Sequence, residues 1–64
     1  MIRNQEVLTQ DESLEIRRAL DKLGLKVAKV WASRFENVGH RRWAVMYHGK
    51  CEGIYDLDRK TFVD

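Results

Sequence analysis

Residues 25–38 read LKVAKVWASRFENV, and two different folds follow from how they are taken. Val27, Val30, Trp31, Phe35 and Val38 fall at offsets 0, 3, 4, 8 and 11, which is one face of a helix. The same run offers β-favouring Val27, Val30 and Trp31. Leu25, Val27 and Trp31 share a parity that Lys29 interrupts. The strand reading is preferred, because the residues that follow complete a hairpin. Glu36-Asn37-Val38-Gly39 supplies a turn in which Asn and Gly tolerate positive φ. Arg42 to His48 then alternates: Trp43, Val45 and Tyr47 face one way, Arg42, Ala44, Met46 and His48 the other.

Further along, Gly49-Lys50-Cys51-Glu52-Gly53 reads as a glycine-bracketed turn, and Ile54, Tyr55 and Leu57 as the returning strand. Asp58-Arg59-Lys60 is a polar turn. Thr61-Phe62-Val63 suits either a last strand or an opening helical turn. Upstream, Thr9 followed three residues later by Glu12 has the capping-box spacing. Ile16, Ala19, Leu20 and Leu23 form an i, i+3, i+4, i+7 stripe, with Leu14 at its edge and Arg17, Arg18, Asp21 and Lys22 mainly on the other face. Gly24 ends the helix, which is expected over residues 10–23. Residues 1–9 read as a flexible arm or an edge strand. The expected architecture is α+β, with one N-terminal helix packed on a three-stranded antiparallel sheet (α-β-β-β) in a single domain over residues 1–64. If residues 25–38 are helical instead, the chain becomes a helix-turn-helix with a β wing over residues 42–57.

The 64-residue length excludes a two-lobed enzyme with a deep cleft. Hydrophobic residues make up 44% and charged residues 34%, which excludes a disordered chain. The formal net charge of +2 is unevenly spread. Residues 25–50 carry Lys26, Lys29, Arg34, Arg41, Arg42 and Lys50 against Glu36 alone, and both flanks are mildly acidic. The one cysteine, Cys51, forms no disulfide within the chain, and residues 1–10 hold no apolar core of a signal peptide. A cytoplasmic protein is expected, with no membrane partner.

Chemistry-bearing groups are few. His48 and Cys51 make half of one zinc pair where a structural site wants four ligands, so no metal and no cofactor is expected. Asp56 and Asp58 share a strand face about 7 Å apart, without a third acid. His40 and His48 are the candidate general bases, and His40-Arg41-Arg42 holds a base and two phosphate-binding groups. Three consecutive strand residues alternate faces, however, and cannot converge on one phosphate. Trp31, Trp43, Tyr47 and Tyr55 interleave with the basic residues and serve either as core or as stacking surfaces.

The order helix then three strands, with Gly39-His40 ahead of the strand at Arg42 and the basic pair Arg59-Lys60, is similar to the double-stranded-RNA-binding domain over residues 11–60. That family places a second helix after its strands, and here the sequence stops at Asp64. The same αβββ order looks like the small HicA-type messenger-RNA toxins, which implies a ribonuclease with an active histidine on the sheet. Both are likenesses of element order.

The leading expectation is a small non-enzymatic regulatory protein that binds nucleic acid, DNA or RNA, through a basic sheet surface. Lys26, Lys29, Arg34, Arg41, Arg42 and Lys50 would contact phosphates. The alternative is a protein-binding inhibitor or adaptor, such as a phage-type antagonist of a host complex, using an exposed aromatic patch at Trp31 or Tyr55. A HicA-like ribonuclease is a remote third. A homodimer is compatible with each, because a short sheet leaves edges open.

Overall fold

A computed structural model describes residues 7–63. In chain order they form helix α1 (Gln10–Lys22), helix α2 (Val27–Ala32) and strands β1 (Arg34–Gly39), β2 (Arg42–Tyr47), β3 (Lys50–Asp56) and β4 (Thr61–Phe62). The strands make one antiparallel sheet in the order β1-β2-β3-β4. The class is α+β, with a helical layer on one face of the sheet. The sheet has four strands where three were expected, because Thr61–Phe62 pairs with Tyr55 and Asp56. Of the N-terminal arm or edge strand, residues 1–6 lie outside the described residues, and Val7, Leu8 and Thr9 form no regular element.

Helix α1 starts where its cap dictates. Thr9 Oγ1 accepts from the Glu12 N–H at 3.1 Å, and Glu12 Oε1 accepts from the Thr9 N–H at 3.0 Å, so two otherwise orphaned donors are satisfied. Thr9→Ala should therefore cost about 1 kcal/mol of stability, read from a denaturation midpoint. The helix stops as Gly24 takes φ +83° and its N–H reaches the Asp21 carbonyl. One residue of the predicted stripe fails. Ile16 and Leu20 are fully buried, but Leu23 is the C-cap residue and 61% exposed. At the end of the helix it sits at the rim of the contact with the sheet, beside a groove that Ile54 and Phe62 also line, and is only partly covered.

Residues 25–38 are neither one strand nor one helix. The helical spacing holds through Val27–Ala32, and Val30 enters the core. Ser33 ends it, with an extended backbone, a hydroxyl that donates to the Lys29 carbonyl at 2.7 Å, and 4% exposure. Arg34 then begins β1. The strand reading fits the second half of the segment and the helical reading the first. A six-residue helix is also too short to be the recognition helix of a helix-turn-helix, so that alternative is not formed.

The turns shift accordingly. Glu36, Asn37, Val38 and Gly39 are all in β1, and the β1–β2 turn is His40-Arg41. Asn37 organises it from within the strand. Its Nδ2 donates to the carbonyls of His40 and Arg42, and its Oδ1 accepts from the Gly39 N–H. The register slips at Val38, between Asn37 and Gly39. The β2–β3 turn is the two residues His48 and Gly49, at φ +51° and +78°, whose left-handed pair matches the strand twist. Lys50–Gly53 is thus strand rather than turn. Gly53 sits opposite Val45 beside a second register shift, and a Cβ there would lie 3.2 Å from the Phe62 ring.

The core joins Ile16 and Leu20 of α1 and Val30 of α2 to Trp43, Val45, Tyr55 and Leu57. Strand alternation places Trp43 and Val45 under the helices as expected, and Ala44 is also buried, between Glu36 and Ile54 on the far face. Among the described residues no helix is long and apolar enough to cross a membrane.

Candidate functional site

The six basic residues read as one phosphate-binding surface are divided by the fold. Arg41 and Arg42 lie at the β1–β2 turn, while Arg34, opposite Met46, and Lys50, opposite Tyr47, lie toward the other end of the strands, four and five residue steps or about 13 and 17 Å along β2 from Arg42. Lys26 and Lys29 are on α2, Lys26 as its N-cap. Faces differ too: Arg34 and Arg42 alternate onto the face away from the helices, and Lys50 pairs with Tyr47 on the helix side.

Three of the six are held by carboxylates. Lys29 Nζ lies 3.2 Å from Glu52 Oε1 and 5.3 Å over the Tyr47 ring. Arg41 donates from Nε to Asp58 Oδ1 at 2.7 Å and from Nη1 to Glu12 Oε2 at 3.3 Å, and Asp58 and Glu12 hold its pKa above the ordinary guanidinium value. Arg42 Nε donates to Asp56 Oδ2 at 3.2 Å. Lys26, Arg34 and Lys50 are exposed and enter no ion pair among the described residues.

Asp56 and Asp58 do not form a carboxylate pair. Asp58 is exposed on the Leu57–Lys60 turn, whereas Asp56 is 5% exposed and builds that turn. Its Oδ1 accepts from the Asp58 and Arg59 N–H groups at 2.8 and 3.1 Å. The Arg59 N–H first, and then Arg42 and the Asp58 N–H, hold its carboxyl below the ordinary range. Glu12 is lowered too, mainly by the Thr9 backbone N–H. A folded pKa below the unfolded one means that the native state binds fewer protons. The stabilisation is thus present above about pH 4 and lost as pH falls through the lowered folded value. The denaturation midpoint should hold level from neutrality to about pH 5 and drop below about pH 4, with Asp56→Asn removing much of the drop.

His40 and His48 sit at positive φ in two turns at opposite ends of β2, so the topology keeps them apart. Among the described residues no three of His, Cys, Asp and Glu gather as metal ligands, and Cys51 is exposed.

The aromatics separate in the same way. Tyr55, expected as a surface contact, is 3% exposed. Its hydroxyl donates to Glu15 Oε2 at 2.9 Å, its ring meets Phe62 edge-on at 5.0 Å, and burial together with Glu15 pushes its pKa up to about 12. It is a core residue and cannot dock a partner. Trp31 is the reverse. It is 58% exposed on α2, with Val27, 65% exposed, one turn before it. The two line a groove of about 290 Å³ between α1 and α2, together with Leu14, Arg17, Arg18 and Asp21.

Arg17 fixes the floor of this groove, and its role was not legible in the sequence. It belongs by pattern to the polar face of α1. Instead its guanidinium lies between the rings of Trp31 and Phe35, 5.1 and 4.7 Å from their centres. Its Nη1 donates to Ser13 Oγ and its Nη2 to the Ser33 carbonyl at 3.4 Å, while Nε is buried with no partner among the described residues. Arg17 thereby ties α1 to the α2–β1 junction and holds one face of Trp31, leaving the rest of the indole to solvent. The one available signal was Ser13, four residues earlier on the same helix face.

No family model, no curated protein and no solved structure matches the chain.

Proposed function

We propose that the chain is a small non-enzymatic protein-binding module, an adaptor or inhibitor that docks on a larger assembly through the α1–α2 groove. The observation that carries this reading is the position of Trp31. A chain of this size has little apolar surface to bury its core with, yet it leaves an indole and the neighbouring Val27 in solvent. An exposed tryptophan beside a preformed apolar groove is the usual anchor of a protein interface. The rim selects the partner. Arg17 and Arg18 against Asp21 leave the groove net positive, so it suits a segment that inserts an apolar side chain between Leu14, Val27 and Trp31 and brings a carboxylate to the arginines.

The test is capture from lysate of the source organism with the wild-type chain and Trp31→Ala in parallel, followed by an affinity measurement on the purified partner. A partner that binds the wild type and is lost from the variant supports the reading. Equal recovery by both chains would sink it.

A second reading, nucleic-acid binding, is favoured by one observation: Lys26, Arg34 and Lys50 are exposed and free of ion pairs among the described residues. It predicts binding to labelled duplex or single strands that weakens steeply with salt. The pairing of Lys29, Arg41 and Arg42 with carboxylates places it second, because half of the supposed phosphate contacts are already neutralised.

A further inference from the structure

Strand β1 is an edge of the sheet, and its outward row of backbone N–H and C=O groups meets no neighbouring strand among the described residues. Pairing with β2 fixes which side chains share a face. Arg34 and Glu36, opposite Met46 and Ala44, lie on the face away from the helices, while Phe35, opposite Val45, lies on the helix side. Arg34 and Glu36 are exposed and, unlike Arg41 and Arg42, enter no ion pair among the described residues.

We propose that β1 pairs antiparallel with β1 of a second copy, about a two-fold axis through Phe35, to make a continuous eight-stranded sheet. A two-fold axis normal to the sheet keeps each side chain on its own face, so only registers centred on a residue are open. Centring on Arg34 sets Arg34 against itself, and centring on Glu36 sets Glu36 against itself. Both place like charges directly opposite, which is unfavourable. Centring on Phe35 sets Arg34 against the partner's Glu36 twice, on the open face. On the helix face it brings the two Phe35 rings together as a cross-strand aromatic pair.

The local structure agrees with this register. The overlap runs over Arg34, Phe35 and Glu36. It stops before the Val38 register slip on one side and at Ser33 on the other, where the residue is 4% exposed and its N–H and carbonyl already bond to the Val30 carbonyl and Arg17 Nη2. Phe35 is half-buried beside a surface groove that Leu8, Arg17 and Trp43 also line, and pairing joins the two grooves across the axis. The charges that usually protect a sheet edge from indiscriminate pairing here select one partner and one register.

Sedimentation equilibrium of the full chain, from low micromolar to millimolar concentration, reads the dimer directly. Glu36→Arg and Arg34→Glu should each weaken it at least about ten-fold, since each puts two like-charge pairs in place of two ion pairs. The double reversal should return the affinity to within about three-fold of wild type. A wild-type chain that stays monomeric at millimolar concentration overturns the proposal, and so does a double reversal that fails to rescue. Independently of charge, Phe35→Cys in a Cys51→Ser background should cross-link on oxidation, because the two positions face each other. Asn37→Cys should not, because its two copies lie well beyond the roughly 7 Å Cα reach of a disulfide. Equal cross-linking at both positions would also overturn it. Trp31→Ala should leave the dimer unchanged, so that loss of the partner groove and loss of the edge pairing are told apart.

Discussion

Leu20→Ala is expected to leave much of the chain unfolded. Leu20 is fully buried between α1 and the sheet, in contact with the cluster that holds Ile16, Val30, Trp43 and Val45. Deleting three buried carbons from such a position costs about 3 kcal/mol, as lost transfer energy plus the cavity left behind. A domain of this length has only about 3–10 kcal/mol in total. The control is Leu23→Ala, three residues on. Leu23 shares the apolar stripe of the sequence but is 61% exposed, so its truncation should change stability by no more than about 0.5 kcal/mol. Urea denaturation of the two variants followed by tryptophan fluorescence makes the comparison. Equal losses would mean that α1 does not present its Ile16–Leu20 face to the sheet.

Trp31→Ala is expected to separate binding from folding. The affinity for the groove's partner should fall at least about thirty-fold, the loss typical of a central aromatic anchor. Folding stability should change by less than about 1 kcal/mol, because the indole's main internal partner is the Arg17 guanidinium at 5.1 Å. The other tryptophan should behave oppositely. Trp43 is 6% exposed at the centre of the sheet, and its truncation should cost about 3–5 kcal/mol and abolish the fold. A binding isotherm and a denaturation curve on the same preparation of Trp31→Ala give both numbers. An unchanged affinity would remove the groove from consideration.

The two tryptophans mark the difference between what is local and what is not. The caps of α1 and the alternation of β2, both set by neighbours within about four residues, were legible in the chain, while the two hairpin turns fell one to four residues from where glycine placement put them. Thr9 and Glu12 satisfy each other's backbone across three residues, and Gly24 ends the same helix, so α1 forms where its caps place it. The alternation of Arg42–Tyr47 specifies a strand with Trp43 and Val45 on one face, and the α+β class follows from those two elements. The basic character of residues 25–50 is likewise a property of composition.

Residues 25–38 depended on something else. Their apolar positions satisfy two periods at once, so local preference cannot choose between them. The choice is made by what the segment packs against. Val30 fills the space beside Ile16 and Leu20 only if Val27–Ala32 is helical, and Phe35 lies beside Val45 only if the chain is extended after Ser33. Burial of one residue from each half outweighs the small propensity differences along the run, and the segment breaks at Ser33. The same packing drew Arg17 inward against Trp31 and Phe35, buried Tyr55, left Leu23 largely exposed, and divided the six basic residues between α2 and the two ends and two faces of the sheet. Caps and alternation are short-range and are written in the order of the residues, whereas the turns are fixed by the register that the paired strands adopt. Which apolar side chain is covered, and which charge finds a counter-charge, depends on segments far apart in the chain. Only their meeting in three dimensions sets it.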